Sequence, residues 1–218
     1  MKRFYTILIL LIGVTTIKSQ AQATNDPNAK KILDAVSTKF KTFKTVKATF
    51  TYKVENAAGK ALSSKTGSVS MKGTKYRVNI VGQEIFSDGV NIWTYDKAAN
   101  EVTISKLDNS SNTLTPQKLF TNFYDKDFLY KLNGEKKQGA KILQEIEMTP
   151  TDKSKPFHKV YVYVDKNGKT LSSTKVMEKS GNRYSYTVNT LTANGAIDDK
   201  QFVFDVKKYP GVEVIDLR

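Results

Sequence analysis

Few side chains in this sequence have the chemistry of a catalytic centre. His158 is the only histidine, and no nucleophile motif lies near it in the chain, so a serine triad would depend on this single imidazole. Because the chain has no cysteine, a zinc site would need several carboxylates, and no ligand spacing indicates one. Paired carboxylates for sugar hydrolysis stay open as an alternative. We therefore expect no enzyme, no metal and no cofactor.

Large aromatic side chains, in contrast, are concentrated between residues 50 and 128. On a curved sheet that helices leave uncovered, such side chains would line an apolar cavity, and apolar cavities bind apolar ligands. The alternative is that they pack against the helices as ordinary core, and composition alone favours this second interpretation. The residues are Phe50, Tyr52, Tyr76, Phe86, Trp93, Tyr95, Phe120, Phe123, Tyr124 and Phe128.

The elements that must position these residues begin with one amphipathic helix. Asn25 and Asp26 offer capping side chains, and Pro27 suits the first helical turn. Apolar residues then recur at three- and four-residue spacing, which predicts a helix over residues 27–44. Its apolar face consists of Ile32, Leu33, Val36, Phe40 and Phe43.

From residue 48 the apolar pattern changes to a period of two, with short turns between the segments, which is typical of an antiparallel sheet or barrel. The pattern stops at residues 107–125, where Thr115 and Pro116 would begin a short helix that carries Leu119, Phe120 and Phe123. The sequence thus predicts one mainly β (α+β) domain, a strongly curved antiparallel sheet with two helices packed on it. After the short helix, strands are predicted at 128–132, 142–148, 160–164, 171–177 and 184–191.

The amino terminus has the features of an export signal. A basic start, an apolar run over residues 4–14 and small residues near position 21 follow one another in the order of a signal peptide. We expect residues 1–21 to be removed, with cleavage after residue 23 as the alternative, and a single domain to span residues 24–218. No cysteine is present to carry a lipid anchor, so the protein is expected to be soluble after export.

The formal charge of the chain is +14. Loss of Lys2, Arg3 and Lys18 with the signal peptide would leave about +11. For an exported protein, anionic membrane surfaces or acidic proteins are more natural partners than nucleic acid, which we do not expect to be bound. The lysines mostly alternate with apolar residues, which suits the solvent face of strands and discourages edge pairing.

Residues 87–96 read S-D-G-V-N-I-W-T-Y-D, a turn followed by a strand that holds the only tryptophan, Trp93. Further segments are A-T-F-T at 48–51, G-S-V-S-M at 67–71, Y-R-V at 76–78, E-V-T at 101–103, T-P at 115–116, F-V-F at 202–204 and P-G-V-E-V-I at 210–215. In this order they resemble the LolA family of periplasmic outer-membrane lipoprotein carriers, whose most specific segment is S-D-G-x-x-L/I-W-x-Y-D/N. The resemblance covers almost the whole chain after the signal peptide.

This resemblance implies an unclosed antiparallel β-barrel with an N-terminal helix and a short lid helix over a hydrophobic cavity. It implies a periplasmic chaperone that takes the acyl chains of lipid-modified proteins from an inner-membrane lipoprotein-releasing transporter and hands them to an outer-membrane acceptor, without covalent chemistry. We expect the carrier to be a monomer. A multi-chain lipid anchor needs such a carrier, because each methylene exposed to water costs about 0.8 kcal/mol.

The side chains expected to line the cavity come from the strands and from the lid. The strand with Trp93 has two faces, Trp93 with Tyr95 or Ile92 with Thr94, and we assign the bulkier face to the cavity. The family often latches its lid with an arginine; here Lys72, together with Arg77, is the candidate latch, and lysine offers a point charge instead of a planar fork. The expected cavity residues are Phe50, Tyr52, Val69, Met71, Tyr76, Val78, Ile80, Phe86, Trp93, Tyr95, Leu119, Phe120 and Phe123.

Three alternatives to a lipoprotein carrier remain open. A protein of the same fold could carry or sense another lipid, a hydrolase could use His158, and an interaction module could have its core filled. Lipids that co-purify with the protein, the effect of His158→Ala and the binding of a fluorescent apolar probe would distinguish these alternatives in turn.

Overall fold

The computed structural model describes residues 25–107 and 124–218, without the side chain of Asp125. Over these residues the chain forms a curved twelve-stranded sheet with one long helix against it. The helices are α1 (Pro27–Lys41) and α2 (Tyr124–Asp127). The strands are β1 (Thr45–Glu55), β2 (Ala61–Lys72), β3 (Lys75–Ile80), β4 (Gln83–Ser87), β5 (Asn91–Asp96), β6 (Glu101–Lys106), β7 (Phe128–Gln138), β8 (Lys141–Pro150), β9 (Phe157–Asp165), β10 (Thr170–Glu178), β11 (Arg183–Ala193) and β12 (Glu213–Asp216).

Helix α1 begins and ends through local hydrogen bonds. The carboxylate of Asp26 accepts a hydrogen bond from the amide of Asn28 at 2.8 Å and caps the first turn. At the other end, the hydroxyl and the amide of Thr42 both bond back to the carbonyl of Lys39. The predicted helix is therefore confirmed, but it ends at Lys41 and not at residue 44.

The strands follow one another around the sheet in the order β12-β6-β5-β4-β3-β2-β1-β11-β10-β9-β8-β7. Neighbours are antiparallel except for β12, which lies parallel to β6. No ladder joins the edge strands β7 and β12 in the part of the chain that is described, so the sheet is unclosed, as predicted. Each of the five strands predicted after residue 128 is also present, with longer bounds than the sequence indicated.

The register divides the side chains between two faces, because residues directly opposite one another in neighbouring strands share a face. One row of partners runs from Ile146 on β8 across β9 and β10 to Tyr186 on β11 and Tyr52 on β1. This face carries α1, and we call it the helix face. The opposite face is covered in part by residues 197–216, which we call the C-terminal strap; that face is the strap face.

On the helix face, α1 covers strands β7 to β10. Leu33 packs with Ile146, Met148 and Val162, and none of these four side chains is more than 5% exposed. The hydroxyl of Tyr124, at the start of α2, donates a hydrogen bond to Asp34 at 2.8 Å. This packing makes the β7–β10 half of the helix face a closed hydrophobic core.

The C-terminal strap closes part of the other face. It passes the β2–β3 turn in a 3-10 turn over Asp199–Phe202, continues through a second over Val206–Lys208, and then adds β12 to the edge. Phe204 is 5% exposed and packs on the aromatic side chains of β4 and β5. A crossover of this kind is what allows β12 to run parallel to β6.

Two sequence predictions fall on parts of the chain outside the described residues. These are the signal peptide over residues 1–21 and the short lid helix that Thr115 and Pro116 would begin. Within the described ranges, no helix is long and apolar enough to cross a membrane.

Candidate functional site

The helix face continues beyond α1 onto strands β1, β2 and β3, where the apolar side chains are less completely covered. Ala48 on β1 lies opposite Val69 on β2, which lies opposite Val78 on β3. Val69 and Val78 are half-buried, whereas Met71 and Tyr76, nearer the C-terminal end of α1, are buried. The structure therefore brings seven of the predicted cavity residues onto one face: Phe50, Tyr52, Val69, Met71, Tyr76, Val78 and Ile80.

Four rings form an aromatic ladder on this face, made of Phe50, Tyr52, Tyr184 and Tyr186. The ring of Tyr52 lies 4.9 Å from that of Tyr186 and 6.0 Å from that of Tyr184, measured between centroids. Phe50 lies 6.4 Å from Tyr186. Tyr186 is 44% exposed and the other three rings are half-buried. The ladder is thus an aromatic surface that is still open to solvent.

Gly67 explains how Phe50 is held in the ladder. A Cβ on Gly67 would stand 2.5 Å from the Phe50 ring and 2.8 Å from the carbonyl oxygen of Asn79. Only glycine leaves room for the ring to lie flat across β2 at this register position, directly opposite Phe50. This is the physical role of the glycine in the G-S-V-S-M segment.

A narrow crevice marks where the helix face passes under the end of α1. It is lined by Val36, Phe40, Phe43, Leu171 and Leu191 and has a volume of about 10 Å³. That volume holds about one water molecule. Strands β10 and β11 pair only over residues 173–177 and 183–187. The crevice lies beyond this paired stretch, where the two strands are no longer hydrogen-bonded to each other. Phe40, near the end of α1, and Phe43, just after it, lie at this gap.

Three predicted cavity residues lie on the strap face. Trp93 pairs with Phe86 across β4 and β5, and Phe86 pairs with Arg77, which places them on the face opposite to that of Val78 and Met71. Trp93 and Tyr95 are each 9% exposed and Phe86 is 3% exposed, since the C-terminal strap covers them. Phe86, Trp93 and Tyr95 therefore do not share a face with the other predicted cavity residues, and Ile92 and Thr94 are the residues of this strand that belong to the helix face.

The strap packs on these residues through aromatic rings. Phe204 lies 5.6 Å from Phe86, 5.5 Å from Tyr95 and 4.3 Å from Tyr209, between centroids. We call Phe86, Trp93, Tyr95, Phe204 and Tyr209 the strap cluster. These rings pack against one another, and each of them is less exposed to solvent than Tyr186.

The two residues proposed as a lid latch are engaged elsewhere. Arg77 points to the strap face, where its guanidinium lies 4.6 Å from the Phe86 ring and donates a hydrogen bond to Glu84 at 2.6 Å. Burial alone would raise the pKa of Glu84, but the hydrogen bonds from Lys97 and Arg77 outweigh it and lower that pKa. Lys72 donates to Asp199 of the strap at 2.7 Å. Both side chains are therefore turned to the strap face.

A larger depression, of about 410 Å³, lies at the end of the sheet where the strap meets the β4–β5 turn. Its lining includes Lys75, Asp88, Asp205 and Lys208, so charges of both signs surround it. Hydrogen bonds from Lys72 and Lys75 hold the pKa of Asp199, at its rim, at about 2. No described residue that was predicted for the cavity lines it, and its polarity does not suit an acyl chain.

Some predicted site residues are not described, and two residues of the site were not predicted. Leu119, Phe120 and Phe123, expected from the lid helix, lie outside the described residues. Tyr184 and Tyr186 were not predicted as site residues, although their spacing of two in a predicted strand was a usable signal. They join the site because β11 pairs with β1, a long-range contact that periodicity cannot reveal.

The chemistry available on the helix face is binding by apolar and aromatic surface. His158 is exposed at the start of β9. Among residues 25–107 and 124–218, no three His, Asp or Glu side chains come together in a way that could hold a metal ion. An open surface of rings and branched aliphatic side chains suits hydrocarbon.

Comparisons with known proteins point in one direction. Residues 41–205 match a family model described as outer membrane lipoprotein carrier protein LolA. The outer-membrane lipoprotein carrier protein of Pseudomonas putida W619 is 26% identical over 218 residues, which cover 96% of this chain and 98% of that protein. The protein of the same name from Histophilus somni 2336 is 26% identical over 224 residues, covering 100% of this chain and 99% of that protein.

The fold is shared with a solved structure as well. The crystal structure of an uncharacterized conserved protein from Thermus thermophilus superposes with a TM-score of 0.59 at 13% identity, over 87% of this chain and 99% of that one. At such low identity this likeness concerns the fold alone.

Proposed function

Because the chain belongs to the LolA family of outer-membrane lipoprotein carrier proteins, we propose that it shields the acyl chains of lipid-modified proteins from water as they travel from the inner to the outer membrane. The structural feature that supports this proposal is the part of the helix face that α1 does not cover. Half-buried apolar side chains there continue a closed hydrophobic core, so a bound chain would extend that core.

The energetics favour hydrocarbon as the ligand of this surface. Each methylene moved from water to an apolar surface contributes about 0.8 kcal/mol. A chain laid across Phe50, Val69 and Val78 would gain this stabilisation without any covalent step. The rings and branched side chains present are those of apolar ligand sites in general.

A carrier must release its acyl chains, so it must bind them with only moderate affinity. The end of α1 and the residues just after it would compete with the acyl chains for the helix face. Phe40 and Phe43 occupy the gap between β10 and β11 and leave only the narrow crevice. An acyl chain that enters this part of the helix face must displace them, so closed and loaded states would compete. Affinity is thereby held below what the apolar area alone would give.

The cellular route follows from the same proposal. The signal peptide over residues 1–21 would export the chain, and the carrier would act in the periplasm as a monomer. Its donor would be an inner-membrane lipoprotein-releasing transporter, and its acceptor a receptor in the outer membrane. The single domain expected over residues 24–218 would do this without a cofactor and without catalysis.

Depletion of the protein in its own cells tests the role directly. We expect outer-membrane lipoproteins to accumulate in the inner membrane, measured by separating the two membranes and blotting for a lipoprotein. Normal sorting after depletion would refute the proposal. If sorting is normal and mass spectrometry finds another lipid on the native protein, the protein carries that lipid instead.

A second test addresses the surface. The probe is a synthetic triacylated lipopeptide, with the same peptide lacking acyl chains as its control. We expect saturable binding of the acylated form only, weakened at least tenfold by Val69→Asp, because a carboxylate on the helix face would be desolvated by the chain. Ser68→Asp, one residue earlier and on the strap face, is the matched control and should bind normally. Equal binding by both variants would place the chains elsewhere.

A further inference from the structure

Four polar side chains interrupt the apolar surface of the helix face on two adjacent levels. Tyr52 on β1 lies directly opposite Lys65 of β2 on one side and Tyr186 of β11 on the other. Tyr184 stands two residues before Tyr186 on the same face, and its ring is stacked on that of Tyr52 with the planes at 12°. We call Lys65, Tyr52, Tyr184 and Tyr186 the polar band.

The polar band offers hydrogen-bond donors that the protein itself does not use. Within the described residues, neither the three hydroxyls nor the Lys65 ammonium has a hydrogen-bond or ion-pair partner. Burial and the neighbouring tyrosines raise the pKa of Tyr52, and burial and Tyr184 raise that of Tyr186, so these phenols keep their protons at neutral pH. Since an ammonium group only donates, a ligand matched to the band must accept hydrogen bonds.

Apolar side chains lie beyond the band on both sides. Toward α1, the row that contains Tyr186 passes Thr174 and then continues through Val162 to Ile146. In the other direction, along β1 and β2, the next level of the face holds Phe50 and the level after it holds Val69. A ligand that fits this pattern is long and apolar, with acceptor oxygens at one end. Acyl esters have this construction, because their carbonyl oxygens accept hydrogen bonds where the chains join the glyceryl group.

We propose that the polar band binds the ester carbonyl oxygens at the junction between the acyl chains and the glyceryl group of a lipid-modified protein. The inference rests on the proposed carrier function and deepens it by fixing the direction of the cargo. The chains extend from the band over Phe50 toward Val69. The peptide leaves past the turns at residues 56–60 and 179–182, which end the strands that carry the band.

The test compares two probes that differ only in the carbonyl groups. One is a diacylglyceryl-cysteine lipopeptide with ester-linked palmitoyl chains, and the other carries ether-linked hexadecyl chains. The full chain after removal of the signal peptide should prefer the ester by about tenfold, the gain of one to two net hydrogen bonds. In Tyr52→Phe/Lys65→Met/Tyr184→Phe/Tyr186→Phe, which keeps every ring and removes all four donors, ester affinity should fall to the ether level.

Tyr161→Phe, on the opposite face of β9, is the control and should retain the preference for the ester. Binding of the ether probe shows that each variant is folded. Equal affinity of the unmodified protein for both probes, or a preference that survives in the quadruple variant, overturns the polar band while leaving the carrier function intact. Failure of the unmodified protein to bind either probe overturns both.

A third arm separates lipid-modified proteins from membrane lipids, which contain the same esters. Diacyl phosphatidylglycerol and its dialkyl ether analogue are offered to the same proteins. We expect the tenfold ester preference with the lipopeptide pair. A preference that appears only with the phospholipid pair would overturn the assignment to lipid-modified proteins.

Discussion

The strap cluster and the aromatic ladder are built from the same kinds of ring at similar spacing. Centroids lie 4.3 Å apart for Phe204 and Tyr209 in the strap cluster, and 4.9 Å apart for Tyr52 and Tyr186 in the ladder. Their exposure differs, since Trp93 is 9% exposed and Tyr186 is 44% exposed. The difference comes from the next layer: a segment of the chain itself covers the strap cluster, and no described element covers the ladder to the same degree.

This contrast separates rings that stabilise the fold from rings that can bind. A ring that is already buried by Phe204 has no free surface to offer a ligand, and its removal leaves a cavity. A ring that is half exposed contributes less to folding, but it gains stabilisation when a ligand covers it. Mutations in the two clusters should therefore divide between stability and affinity.

The largest effect on stability is expected for Phe204→Ala. Phe204 is 5% exposed and contacts rings on three sides, so its loss should lower the free energy of unfolding by about 3–5 kcal/mol. Urea denaturation measures this change. Val203→Ala, at the neighbouring position that is 43% exposed, should change it by less than about 0.5 kcal/mol. A similar small change for both would show that the strap does not close the sheet.

Phe50→Ala removes the same ring from the aromatic ladder. Because Phe50 is half-buried, we expect a loss of about 1–2 kcal/mol in stability, and about a fivefold loss in affinity for the triacylated lipopeptide. Titration of a labelled lipopeptide measures the second change. Thr51→Ala, the next residue, whose side chain lies on the opposite face, should bind normally. Unaltered affinity of Phe50→Ala would mean that the ladder is not the binding surface.

The sequence was a good guide where local signals decide the structure. Asp26, Pro27 and a 3.6-residue period define α1 without reference to other elements. Alternation with a period of two defines the strands for the same reason. Even the unclosed sheet could be expected, from the resemblance of the segment around Trp93 to a known family.

The sequence was a poor guide to which face of a strand looks inward. Ile92 and Thr94 on one face of β5, and Trp93 and Tyr95 on the other, are both compatible with burial. The residue that decides between them is Phe204, which is far away along the chain and reaches β5 only through the strap. Tyr186 was missed for a related reason, since only strand order brings it beside Tyr52.

A smaller effect is expected at the ion pairs that anchor the strap. Lys72 and Lys75 lower the pKa of Asp199 from 3.8 to about 2. The stabilisation from this carboxylate is therefore complete above about pH 4 and is lost as the pH falls through 2. Asp199→Asn should show a smaller drop in the urea midpoint between pH 5 and pH 2 than the unmodified protein. An equal drop in both would mean that the pairs do not hold the strap.

The smallest effect, close to none, is expected for the fluorescence of Trp93 when the lipopeptide binds. The indole lies on the strap face, under Phe204 and away from the ladder, so its emission maximum should stay where it is in the free protein. A tryptophan placed in the ladder by Tyr186→Trp, in a Trp93→Phe background, should shift to shorter wavelength as acyl chains displace water from it. If Trp93 responds and the ladder tryptophan does not, acyl chains lie on the strap face, and the roles of the two clusters are reversed.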